Sequence, residues 1–296
     1  MAETTHGATE AFVEHRNLLF TVAYEILGSA ADAEDVVQET WLRWAGVDHD
    51  AIREPRAYLV RIATRQALNR LRTLGRRKES YVGSWLPEPL LTSPDVAEDV
   101  ELAESVSMAM MLVLETLGPT ERAVFVLREV FDLDYDEIAE AVDKKTPAVR
   151  QIAHRARSHV AARRPREAVS SDETRDVLAA FQRATQSGDI QGLLDILAPE
   201  VVLLGDGGGV KQAVARPIEG ADKVSRLLIA GLNRVPAGTE LRSAQVNGYP
   251  ALIFWQDGEI DTVVTARIED GLISELYAVR NPEKLSYMQI ETTLRR

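Results

Sequence analysis

The sequence predicts a multidomain protein: two all-α helical domains followed by an α+β domain. Three observations lead there. Apolar residues recur at helical spacing through residues 8–78 and again through 95–164. Two breaks interrupt this pattern: ESYVGSWLPEPLLTSP at 79–94, with Gly83, Pro87, Pro89 and Pro94, and a polar stretch at 165–172. Further on, β-rich runs are divided by Asn247-Gly248, Asp257-Gly258 and Asp270-Gly271, dipeptides that favour tight hairpins. Domains are therefore expected at 8–78, 105–165 and 171–296, with a linker at 79–104.

Taken in order, Ser29 and Asp32 form a capping signature ahead of DAEDVVQETWLRWAG. Trp41 and Trp44 in this helix are expected in the core. Pro55 is placed to open the helix PRAYLVRIATRQALNRLRT. The break at 79–94 carries Tyr81, Trp85 and Leu86, so it is expected to dock on another part of the chain. Gly118-Pro119-Thr120-Glu121 starts the helix RAVFVLREVF.

The stretch Asp134 to Val160 has the form of a helix-turn-helix. Asp134 and Glu137 make a capping-box-like pair, and Ile138, Ala139 and Val142 line one face. Asp143 falls where the turn needs a left-handed residue. Thr146 is the expected N-cap and Pro147 the first residue of the second helix. Val149, Ile152, Ala153 and Ala156 face inward, which leaves Arg150, Gln151, His154, Arg155 and Arg157 outward. Arg and Gln suit bidentate contacts to guanine and adenine edges.

Composition narrows the function. A hydrophobic content of 45% in 296 residues supports two or three packed cores. No apolar run is long enough to cross a bilayer, and MAETTHGATEAF lacks the apolar core of a secretory signal. With no Cys, disulfides, thiol catalysis and Cys-ligated zinc are excluded, which fits a reducing, cytoplasmic location. No metal or other cofactor is expected. The net charge of −12 argues against generic polyanion binding. Two local patches reverse it: Arg61, Arg65, Arg70, Arg72, Arg76, Arg77 and Lys78, then Arg150, Arg155, Arg157, Arg163, Arg164 and Arg166, neither interrupted by an acid.

The α+β domain begins with ETRDVLAAFQRATQSGDIQGLLDIL, helical but interrupted near Gly188. The strand VVLLGDGGG follows, then a helix from about Ala221 to Arg234 and four strand-like runs. All five histidines (His6, His15, His49, His154 and His159) precede residue 165, so no carboxylate–histidine pair exists in this domain and no enzyme is expected. Asp206, Tyr249, Asp257, Asp261 and Tyr277 remain as polar candidates, with Asp257 and Asp261 read as turn and surface residues. Asp206-Gly207-Gly208-Gly209 reads as a tight turn, an anion-binding loop or a turn that lets another backbone approach.

In order and spacing, DAEDVVQETWLRW at 32–44, PRAYLVRIATRQALNRLR at 55–72 and LGPTERAVFVLREVFDLDYDEIAEAV at 117–142 resemble a bacterial sigma factor of the extracytoplasmic-function type. The tail resembles a SnoaL-like, cystatin-like cone, the combination found in the SigJ-like subgroup. WLPEP at 85–89, DGGG at 206–209 and NPEKL at 281–285 support the subgroup, with two departures: Val210 precedes Lys211, and Glu283 stands where Asp is usual.

The resemblance implies a sigma-2 domain over 8–78 and a sigma-4 domain over 105–165. Asp32, Asp35, Gln38 and Glu39 would meet core RNA polymerase on the β′ clamp helices, with the β flap as a second contact. Arg61, Arg65, Asn69 and Arg72 would handle the −10 promoter element, with Arg76, Arg77 and Lys78 on phosphate. Arg150, Gln151, His154 and Arg155 would read the −35 element. Trp85, Leu86, Pro87, Asp206, Gly207, Gly208, Gly209, Asn281 and Pro282 would form a regulatory contact between domains, through which the cone modulates activity in cis. A small-molecule ligand in the cone is a further reading, and a one-component regulator with a sensing cone is the alternative for the whole chain.

Overall fold

The computed structural model describes residues 2–163 and 169–296, apart from the side chains of residues 2–6, 50, 76, 77, 171 and 232. The first helical run folds as α1 (Ala2–Leu27), α2 (Ala30–Ala45) and α3 (Pro55–Glu79). Ser29 caps α2 by accepting from the Asp32 N–H at 3.1 Å. Trp44 is buried and donates its indole N–H to the Ala8 carbonyl at 2.7 Å.

Residues 80–93 are extended and docked, with Leu86 and Leu90 fully buried. Within the stretch read as a linker through residue 104, the helical pattern from residue 95 takes the form of two short helices, α4 (Pro94–Glu98) and α5 (Val100–Val106). Asp99 caps α5 and Ser107 caps α6 (Met108–Glu115), which divides one apolar run into two helices. Then come α7 (Pro119–Phe125), a π turn at Val126–Val130, α8 (Tyr135–Val142) and α9 (Thr146–Ala161). Asp143 is left-handed, with φ 54°. The N-cap of α9 is Lys145 rather than Thr146, because the Thr146 hydroxyl instead donates to Asp136 at 2.6 Å. The helices before residue 161 share one hydrophobic core that contains Leu19 and Ile26 of α1, Leu59 of α3, Val124 of α7 and Ile152 of α9. The two helical domains are thus packed together.

The third domain begins with α10 (Ser171–Ser187) and α11 (Ile190–Ile196), separated by left-handed Gly188. Strand β1 (Leu197–Asp206), short β2 (Ile218–Glu219) and α12 (Ala221–Leu232) follow. Strands β3 (Glu240–Val246), β4 (Tyr249–Gln256), β5 (Glu259–Glu269) and β6 (Leu272–Val279) form a meander, closed by α13 (Pro282–Leu285). The sheet order is β2-β1-β6-β5-β4-β3, with only β1 and β6 parallel. Period-2 alternation splits its side chains. Leu252, Val264 and Leu276 pack with α10, α11 and α12, whereas Ala251, Ile253, Val263 and Tyr277 pack with Leu86 and with Met108 of α6. Both faces are covered, which explains why these strands are apolar on both sides.

The β3–β4 turn presses on the helical domains. Asn247 accepts from the Leu90 N–H at 3.0 Å and donates to the Tyr24 hydroxyl at 2.7 Å and the Val106 carbonyl at 2.8 Å. Gly248 has φ 77°, and a Cβ there would lie 2.7 Å from the Ala103 Cα. Gly248→Ala is therefore expected to destabilise the protein by about 2 kcal/mol, read as a lower urea midpoint at unchanged m-value.

Candidate nucleic-acid interface and interdomain junction

On α9, Val149, Ile152, Ala153 and Ala156 are buried, and Arg150, Gln151, His154 and Arg155 stand together on the exposed face. The Arg150 guanidinium lies 5.6 Å from the Tyr135 ring centroid. Arg157, also read as outward, pairs with Glu129 at 2.9 Å.

On α3 the expected basic face is partly occupied. Arg61 donates to the Glu140 carboxylate at 2.8 Å, and Arg65 to the Glu140 carbonyl at 2.7 Å. Glu140 belongs to α8, the first helix of the helix-turn-helix. Arg72 donates to Asn69 at 3.0 Å within α3. Lys78, read as a phosphate contact, turns inward: it pairs with Glu115 and lies 5.0 Å over the Trp85 ring, and burial lowers its pKa. The Arg76 and Arg77 side chains, Arg164, Arg166 and the start of the 165–172 boundary lie outside the described residues.

On α2, Asp32 and Asp35 both hold Arg70, at 2.6 and 2.5 Å. Asp32 is buried, while Asp35 and Gln38 are exposed; half-buried Glu39 pairs with Arg43 at 3.1 Å. Between the helical domains, Arg122 of α7 donates to the Glu25 carbonyl of α1 at 2.8 Å and to Glu115 at 2.8 Å. Burial pushes the Glu25 carboxyl up to about 8, against the opposing Ser105 hydrogen bond and the Arg122 charge.

The linker, the glycine turn and α13 meet at Asp206, which has no exposed surface. Lys284 donates to its Oδ2 at 2.7 Å and to the Leu86 carbonyl at 2.5 Å. The Lys284 ammonium also lies 3.5 Å from the Trp85 ring centroid. The Leu86 N–H donates to Asp206 Oδ2 at 2.9 Å, and the Tyr81 hydroxyl to Oδ1 at 2.5 Å. The Gly208 N–H completes the set at 3.1 Å. Asn281 donates to the Tyr81 hydroxyl at 2.8 Å and caps α13. Gly208 has φ 63°, and a Cβ there would lie 2.5 Å from the Asn281 amide; Gly209 packs on Val82 and Gly207 closes onto Lys211. Pro87 is buried in this contact, and Pro282 opens α13 at the exposed surface.

Glu88, inside WLPEP, reaches the start of α2 and accepts from Ser29 at 2.8 Å and from the Ala30 and Ala31 N–H groups at 2.7 and 3.2 Å. Glu88 lies inside WLPEP, Lys284 inside NPEKL and Asn247 in an Asn-Gly turn, and nothing local in the sequence marks any of the three as a junction residue. Asp261 departs from the surface reading. Lys211 and Arg280 hold it at 2.7 and 2.9 Å, and with the Thr262 hydrogen bond they outweigh burial and bring its pKa down to about 2.

Between the end of α10, the end of α12 and strands β3 and β4 is a depression of ≈ 370 Å³ lined by Thr185, Asn233, Thr239, Leu241 and Phe254, with no titratable side chain in its lining. Lys284→Met would leave the Asp206 carboxylate buried without its cation and is expected to lower stability by about 3–5 kcal/mol. Urea unfolding measures this, and Asp206→Asn added to Lys284→Met should recover part of the loss.

A model of sigma-70 region 2 matches residues 11–77, and one of sigma-70 region 4 matches residues 107–160. The ECF RNA polymerase sigma factor SigJ of Mycobacterium tuberculosis is 34% identical over 290 residues, covering 94% of this chain and 92% of that protein. The probable ECF RNA polymerase sigma factor SigI of the same species is 31% identical over 284 residues, covering 95% and 96%. The crystal structure of Mycobacterium tuberculosis SigJ matches with a TM-score of 0.76 at 33% identity over 95% of this chain and 99% of that one, so the likeness extends through the α+β domain. The paired helical domains, the exposed helix-turn-helix and the sheet fused behind it thus have a full-length counterpart, and the chain belongs to the ECF RNA polymerase sigma factors, which direct transcription initiation.

Proposed function

We propose that the cone domain regulates this sigma factor in cis by holding its two promoter-reading domains together. A sigma factor binds core RNA polymerase and promoter DNA. The −10 and −35 elements lie about 25 base pairs apart, roughly 80 Å at 3.4 Å per pair. Here α3 of region 2 and α8 of region 4 are in hydrogen-bond contact through Arg61, Arg65 and Glu140. Domains in such contact cannot reach both elements, so initiation requires them to separate. The observation that carries this reading is the buried Asp206–Lys284 junction, which ties the linker joining the two domains to the cone.

In the separated state, Arg61, Arg65, Asn69 and Arg72 serve the −10 element, and Arg150, Gln151, His154 and Arg155 serve the −35 element. Asp35, Gln38 and Glu39 meet the β′ clamp helices, with Asp32 holding Arg70 behind them, and region 4 meets the β flap. The uncharged lining of the depression beside Phe254 favours a neutral small molecule as a signal, and no catalysis, since it offers no acid or base. Thermal-shift measurement against neutral metabolites tests the ligand.

Two substitutions test regulation in transcription assays with core polymerase. Glu140→Lys sets a cation against Arg61 and Arg65, and Asn281→Ala loosens the cone from Tyr81. Each is expected to raise RNA yield at limiting polymerase by about two- to fivefold. Increase with Glu140→Lys alone would remove the cone from the mechanism, and no increase with either would refute the reading. Separately, Arg155→Ala is expected to weaken binding by about 1–3 kcal/mol on promoters with an intact −35 element only; equal weakening on scrambled −35 sequences would make Arg155 a phosphate contact.

A further inference from the structure

The last segment of the chain leaves the cone and crosses the helical domains. After α13, the turn at 286–289 sets Tyr287 against the helical core, near Asp32, Glu34, Asp35 and Glu88. Thr292 then pairs with the linker. Its N–H donates to the Leu91 carbonyl at 2.7 Å, its carbonyl accepts from the Ser93 N–H at 3.4 Å, and it forms a parallel bridge with Thr92. Leu294 is 2% exposed and belongs to the core shared by the two helical domains, not to either face of the sheet. The Arg295 N–H donates to the buried Thr21 hydroxyl of α1 at 3.0 Å. Arg296 holds Asp99, the cap of α5, at 2.8 Å and also pairs with Glu101.

The cone packs its own hydrophobic clusters without this segment. Its sheet ends at Val279, and the hydrophobic clusters on its two faces end at Leu276 and Met288. Residues 292–296 instead spend their apolar side chain, backbone hydrogen bonds and charge on α1, the linker and α5. Each contact is individually modest, a single apolar plug, a few edge hydrogen bonds and one partly exposed ion cluster, which is the composition of a segment that opens locally before the whole fold does.

We propose that residues 290–296 form a releasable strap that fastens the cone to α1 of region 2 and to α5 at the approach to region 4, and so keeps the promoter-reading domains closed. This rests on the reading of the cone as a regulator in cis and adds a second fastening, separate from the Asp206 junction. Tyr287, at the root of the strap, adjoins the α2 acids proposed to meet polymerase, so the partner arrives where the strap begins.

The chain has no Cys, so V13C and I190C, at residues 63% and 44% exposed, place spin labels on α1 and on the cone of the full-length protein. Leu294→Asp is expected to raise the ratio of a longer-distance population to the closed one by about tenfold, and Arg296→Glu by about two- to fivefold. Should Leu294→Asp impair folding, the charge pair decides alone: Asp99→Arg with Glu101→Arg should restore the closed distance in the Arg296→Glu background. Asp206→Asn in the same assay separates the two fastenings. An unchanged distribution in the strap variants, with a longer population in Asp206→Asn, would overturn the strap and leave the cone's regulatory role standing. No change in any of the three would overturn both.

Discussion

Asp206 is a carboxylate with no contact with solvent, and the rest of the architecture follows from what must surround it. A buried anion needs a cation and hydrogen-bond donors nearby. It finds the Lys284 ammonium, the Tyr81 hydroxyl and the N–H groups of Leu86 and Gly208. These donors come from α13, the interdomain linker and the glycine turn. One charge therefore brings together three segments separated along the chain, and Gly208 leaves the space in which Asn281 can approach.

From that point the linker propagates order to the helical domains through polar contacts. Glu88, two residues past Leu86, satisfies the first N–H groups of α2. Asn247 joins the sheet turn to Tyr24 of α1 and to the end of α5. The helical domains meet through both an apolar core and the chain from Glu25 through Arg122 and Glu115 to Lys78. Polar contacts of this kind demand fixed geometry, yet their groups can be rehydrated when domains part. A purely apolar contact between the domains would favour permanent closure more strongly than this mixed one.

Electrostatics divides the molecule in the same way. The α9 face that carries Arg150, Gln151, His154 and Arg155 stays exposed in the closed arrangement, while two cations of α3 are met by Glu140. The chain's negative balance, which would repel DNA if spread evenly, thus includes an acid placed against one of its two basic patches.

Local signals in the sequence determined each element whose cause is local. Helical periodicity gave α9 its inward row, the Asn-Gly and Asp-Gly pairs marked the hairpins, and Asp143 marked the turn between α8 and α9. Ser29 capped α2 as its spacing indicated. Where several partners compete for one side chain, local signals failed. Thr146 did not cap α9 because Asp136 was in reach, Lys78 turned to Glu115, and Asp261 was claimed by Lys211 and Arg280. Asn247 reads only as a turn residue and Lys284 carries no local signal of its own, since their partners lie up to 223 and 198 residues away in the chain. By itself, then, the sequence determined the helices, the hairpins and the family, because these depend on neighbours a few residues apart. Only the tertiary structure decided that the two helical domains are closed on each other and that the cone packs against both, because burial of Asp206, Asn247 and Leu294 depends on segments that meet only after folding.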